Sequence, residues 1–225
     1  MLNIVLIIVE EKPLRIKVLR FKKEGSIKMQ GLMFRPQLTL ANLELKKTRT
    51  SRTKGLNKIN EHPDDWKLLE TVPFGFYNTK TGDTFYAKCP YGKVGSELYC
   101  KETYAILSDK KVIYKVDQIG GKCLDLEGSE VRWKSPMMMP EWASRYHIIL
   151  EGIGVQRIQS ITPEDCMREG IDTESEAYCL AENHSNAGVN VSPPYYTFSV
   201  LWDSINHNWD LNLWSWFLYY RVKVK

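Results

Sequence analysis

The run from Leu213 to Val224 constrains the fold more than any other stretch of the chain. Trp214, Trp216, Leu218, Tyr220 and Val222 recur at every second position, between Ser215, Phe217, Tyr219, Arg221 and Lys223. A period of two puts one set on one face of a strand, and no helix can do so. Such a strand needs paired neighbours and an apolar interior, as expected of one that closes a barrel. Arg145 to Ile158 alternates well enough to be a second long strand, with Ile148 and Leu150 inward. Val72 to Lys88 places aromatic residues around Asn78-Thr79-Lys80-Thr81-Gly82-Asp83, a hairpin pattern. Shorter strands are predicted at Leu98–Tyr104 and Val112–Val116, and strands at such spacing suggest a barrel or sandwich.

Helices are fewer. Phe34, Leu38, Ala41 and Leu45 recur at helical spacing, and Pro36 suits a first turn, which predicts a short amphipathic helix. It delivers Lys46-Lys47-Thr48-Arg49-Thr50-Ser51-Arg52, four cations and three hydroxyls in seven residues. Capping of the helix C-terminus accounts for Lys46 and Lys47 only. Thr48, Thr50 and Ser51 favour strand or turn, so the chain is expected to change conformation near Lys47. Thr162-Pro163-Glu164-Asp165 is a helix start with a capping hydroxyl, and Gly170 is the expected stop. Glu169 therefore falls at a helix C-terminus, where a carboxylate is mildly unfavourable. Phe198, Leu201, Trp202 and Ile205 suit one face of a further helix. Asn60 to Leu69 reads as a polar connection, and Glu174 to Pro194 as a polar surface loop.

At 225 residues and 43% hydrophobic content, one domain with a full core is expected. Residues 1 to 30 hold seven Lys/Arg against three Asp/Glu, leaving 24 of each sign in the rest. Attraction to nucleic acid must then come from local clusters, because the body has no net basic field. Five cysteines without a CxxC pair, and no signal peptide, point to a reducing cytosol. His62, His147, His184 and His207 lack ligand spacing to the cysteines, which argues against zinc, and no cofactor is implied. Met1 to Val9 is too short to span a bilayer. Residues 1 to 30 are open to three readings: an extra edge strand, a basic arm, or a translated leader. The last follows from Lys23-Glu24-Gly25, encodable as AAGGAGGG, a ribosome-binding sequence shortly before Met29.

Lys47-Thr48-Arg49-Thr50-Ser51-Arg52 resembles the K-T-x-T-x-R motif near the start of ASCH domains. The likeness extends through Cys89-Pro90-Tyr91-Gly92-Lys93, Lys101-Glu102-Thr103-Tyr104, Arg132-Trp133-Lys134, Met139-Pro140-x-Trp142-Ala143-Ser144-Arg145 and Leu201-Trp202-Asp203-Ser204-Ile205-Asn206. These blocks look most like the longer ASCH proteins of bacteriophages and prophages. The resemblance implies an α+β fold over residues 31–225, a PUA-like β-barrel with short flanking helices. It also implies RNA, or a modified nucleoside, as partner, bound in a pocket around Lys47. Phosphate and base contacts are then expected from Lys46, Arg49, Arg52, Arg132, Trp133, Lys134 and Arg145, with Trp133 as a stacking platform between two cations.

Some ASCH proteins are amidohydrolases that remove the acyl group from N4-acetylcytidine. Carried over by motif, the nucleophile would be Thr50, its proton acceptor Lys47, and the orienting acid Glu169. Lys47 can accept a proton only if its pKa is lowered, which nearby cations and burial would favour. Residues three apart on a regular strand face opposite sides, so Lys47 and Thr50 converge only if Lys47 lies in the turn. A phage protein-interaction module is a third expectation.

Overall fold

The computed structural model describes residues 29–119, 131–188 and 190–225. The three readings of the N-terminal segment therefore fall almost entirely on residues outside the described ones, as does Cys123. In chain order the elements are β1 (Gln30–Met33), α1 (Pro36–Leu43), β2 (Arg49–Arg52), α2 (Asn57–Asn60), β3 (Trp66–Leu68), β4 (Gly75–Asn78) and β5 (Thr84–Tyr86). There follow β6 (Glu97–Lys101), β7 (Tyr104–Ile106), β8 (Val112–Tyr114), α3 (Val116–Ile119), β9 (Tyr146–Arg157), α4 (Pro163–Arg168), α5 (Glu176–Asn186), α6 (Pro193–Asn206) and β10 (Trp214–Val224).

The fold is mixed α+β, with three sheets among the described residues. The main one runs β1-β6-β9-β10-β2, with β1 parallel to β6 and the other pairs antiparallel. The remaining sheets are β3-β4-β5 and the hairpin β7-β8. The alternation of β10 is realised as expected. Trp214, Trp216, Leu218 and Tyr220 enter the main core with Ile148 and Leu150 of β9, and Val222 packs against it. Phe217 lies on the opposite face, over Gly154, where a side chain on β9 would collide with its ring.

Among the described residues no ladder joins β1 to β2, so the sheet, as these residues form it, is not closed by hydrogen bonds. It is nevertheless strongly curled. Four strand spacings would hold the edges of a flat sheet about 19 Å apart. Instead Arg52 Nη2, at the end of β2, donates to the Met33 carbonyl at the end of β1 over 2.7 Å. An arginine side chain thus spans the gap between the two edges.

Three readings of local structure need correction. Leu45 does not extend the apolar face of α1; it is exposed, beyond the helix end, in a left-handed conformation. Glu174 to Pro194 is largely the helix α5, capped by the Ser175 hydroxyl, because Ala181 and the half-buried Tyr178 give an otherwise polar sequence one face to pack. Within Asn60–Leu69, β3 pairs with β4 and buries Trp66. Thr162 caps α4 as expected, accepting from the Asp165 amide, and Gly170 stops it at φ +76°. A second core, of Ile158, Ile161, Cys166, Ile171, Phe198 and Trp202, joins α4 and α6. Among the described residues no helix is long and apolar enough to cross a membrane.

Candidate active site

The junction of α1, β2 and α4 holds the most unusual chemistry of the molecule. After α1, the left-handed Leu45 reverses the chain, and the amides of Lys46 and Lys47 both donate to the Ala41 carbonyl. The Thr48 amide donates to the Arg168 carbonyl, and the Thr48 carbonyl accepts from the Tyr220 amide, which pins the turn between α4 and β10. Lys47 therefore precedes the regular strand and escapes its alternation, the condition its convergence with Thr50 required.

Register sorts the next four residues. Thr50 and Arg52 lie opposite the core residues Leu218 and Trp216, whereas Arg49 and Ser51 lie opposite Tyr219 and Phe217. Arg49 and Ser51 consequently meet the end of α4 and Glu169. Glu169 Oε2 accepts from Lys47 Nζ at 2.8 Å; Oε1 accepts from Arg49 Nη1 at 2.9 Å and from Ser51 Oγ at 2.7 Å. Lys47 Nζ also donates to the Glu169 carbonyl, and Arg49 Nη1 to Ser51 Oγ at 3.1 Å. Arg49 lies near the Phe217 and Tyr219 rings, with its Nε 3.6 Å from Asp165.

All of this is out of water. Lys47 is 1% exposed, Arg49 0%, Thr50 3% and Glu169 4%. Burial pushes the Lys47 amine below its ordinary value; the Glu169 carboxylate opposes the shift, and Arg52 and Arg49 add to it. A lysine in that setting can exist neutral, and a neutral amine accepts protons.

Lys47, Thr50 and Glu169 line one cavity of about 550 Å³. Phe34, Phe198 and Trp202 supply apolar walls, all three buried, while the exposed Arg35 and Lys54 mark its opening to solvent. No hydrogen bond joins Thr50 to Lys47 or Glu169. The cavity is large enough for a molecule of nucleoside size, and its lining includes a hydroxyl, an amine of lowered basicity and a carboxylate.

The seven residues expected to contact nucleic acid are dispersed, and only Arg52 lines this cavity. Arg49 is sealed in the network and holds Glu169, so it presents nothing to an external phosphate. Lys46 is exposed and pairs with Glu44 at 2.8 Å. Arg145 forks onto Glu102 at 3.0 and 2.7 Å, reaches Asp117 at 2.7 Å and stacks 4.1 Å from the Tyr114 ring centroid, which commits its donors. Arg132 and Lys134 are exposed and Trp133 is half-buried, beside the β7 strand that Lys134 bridges.

Sequence reasoning missed Ser51 as a Glu169 ligand and Arg35, Lys54 and Tyr91 as lining residues. The strand parity of Arg49 and Ser51 was a usable signal for the first; nothing local marks the others. No family model, curated protein or solved structure matches the chain.

Proposed function

We propose that the cavity around Lys47 binds an acylated nucleoside of the N4-acetylcytidine type and hydrolyses its exocyclic amide, on a curled sheet of PUA-like barrel type. The buried Lys47, held by Glu169, lowered in basicity by burial and lining the same cavity as Thr50, is the observation that carries this reading. In the first step neutral Lys47 takes the Thr50 proton as the hydroxyl oxygen attacks the acyl carbon. The C–N bond then breaks, the cytosine amine leaves with a proton from the Lys47 ammonium, and the acyl group stays on Thr50 as an ester. Water, deprotonated by Lys47, hydrolyses the ester to the free acid and restores Thr50. Glu169 keeps the amine in place through both steps, and Arg49 and Ser51 fix Glu169.

Pure binding of RNA or a modified nucleoside is the second reading. The 2.8 Å ion pair between Lys47 and Glu169 favours it, since a carboxylate partner supports the charged, non-basic amine. Incubation with a panel of acylated and unmodified nucleosides, read by mass spectrometry, separates the two. Release of acid and cytidine is expected from N4-acetylcytidine, and no turnover across the panel leaves binding alone.

A further inference from the structure

Eight arginines lie among the described residues. Five pair with carboxylates: Arg49, Arg145, Arg157, Arg168 and Arg221. Of the other three, Arg132 faces solvent, while Arg35 and Arg52 both line the cavity of the candidate site. Their partners are neutral. Arg35 donates to Ser204, at 3.2 Å to Oγ and 2.6 Å to the carbonyl, and Arg52 donates to the Met33 carbonyl. Arg52 Nε is buried with no partner among the described residues. Lys54 lines the same cavity, and among the described residues it too forms no ion pair.

Glu169 is the one carboxylate lining this cavity among the described residues, and it is already bound by Lys47, Arg49 and Ser51. Three positive charges are therefore left uncompensated. Arg52 lies over the Phe34 ring, 5.1 Å from its centroid, Arg35 follows Phe34 in the chain, and Lys54 is two residues beyond Arg52. A guanidinium held by neutral carbonyls in a partly dry site favours an anion, and its fork suits phosphate oxygens.

We propose that the cavity takes its nucleoside as a phosphate ester, with the phosphate held by Arg52, Arg35 and Lys54 at the opening. The proposal rests on the nucleoside reading of the cavity but not on hydrolysis. The shared chemistry is a nucleoside monophosphate, supplied either as a free mononucleotide or as one residue of an RNA chain. A free nucleoside would leave the three cations unmatched.

The test is calorimetric titration of the full-length protein with cytidine, cytidine 5′-monophosphate, cytidine 3′-monophosphate and a short oligocytidylate. At low ionic strength at least one monophosphate should bind about tenfold or more tighter than cytidine, an advantage that shrinks as salt is added. A tighter oligocytidylate identifies an RNA residue as the natural ligand, and a tighter mononucleotide identifies the free ester. Arg35→Gln and Lys54→Ala should each pull the phosphate-to-nucleoside affinity ratio toward one. Equal affinities for cytidine and both monophosphates overturn the proposal, as does a ratio unchanged in both variants. A phosphate advantage without turnover of N4-acetylcytidine removes the hydrolase reading and leaves this one standing. No binding of any of the four ligands removes both.

Discussion

Gly170 is the hinge on which the site's carboxylate is set, and Gly170→Ala measures how tightly. Its φ of +76° costs a residue with a Cβ about 1–2 kcal/mol. The added Cβ would stand 2.8 Å from Lys47 Cβ and 3.1 Å from Ala41 Cβ, atoms fixed to backbone that cannot rotate away. Overpacking of that kind costs about 1–3 kcal/mol more. The total of about 2–5 kcal/mol corresponds to a fall of about 4–20 °C in Tm for a domain of this size. Gly95→Ala is the internal control, because Gly95 has φ +86° but nothing within 4 Å of an added Cβ, so only the conformational cost of about 1–2 kcal/mol applies. Thermal unfolding followed by circular dichroism reads both. If Gly170→Ala loses no more than Gly95→Ala, Gly170 is not wedged against Lys47.

The ion network gives three further expectations. Glu169→Gln strands Lys47 and Arg49 without their shared anion and should cost about 3–5 kcal/mol in urea unfolding at pH 7; a loss under 1 kcal/mol would count against the buried pair. Lys47 is depressed in the folded state, so the unfolded chain binds its proton more readily. Wild-type stability relative to Lys47→Met should therefore rise with pH on the approach to the ordinary lysine value of 10.5, by at most about 1.4 kcal/mol per pH unit, and a difference that stays flat or falls all the way to that value contradicts the shift. Arg145→Met leaves the buried Glu102 facing only Asp117, and burial already raises Glu102. The loss of about 3–5 kcal/mol should be larger at pH 8 than at pH 5, where Glu102 is more easily protonated; equal losses would place Glu102 in water.

Much of the frame was legible because it follows from period and capping. The alternation in β10, the hydroxyl cap of α4 and its glycine stop are local facts, and each took the expected form. The change of conformation at Lys47 was legible for the same reason, since threonines and serine follow a helical face. What sequence could not convey is apposition. Glu169 meets Lys47 across 122 residues because α4 folds against β2, and no spacing rule encodes that. Arg145 was expected to contact nucleic acid, yet Glu102 and Asp117, 43 and 28 residues away, bind it. The helix α5 escaped detection because its surface is polar and only Ala181 is fully buried. Arg35 is unremarkable in sequence, and it matters only because α6 and β2 fold beside it around the cavity.

The proposed hydrolysis depends on one oxygen atom. Thr50→Val keeps the shape of the side chain and removes the hydroxyl, in a residue 3% exposed that lines the cavity with Lys47 and Glu169. The measurement is turnover of N4-acetylcytidine by the wild type and by this variant, with binding of the product cytidine as the check on folding. Acyl transfer through Thr50 predicts acetate and cytidine from the wild type, and no detectable turnover from Thr50→Val while cytidine still binds. A wild-type rate in Thr50→Val, or no turnover by the wild type itself, contradicts it.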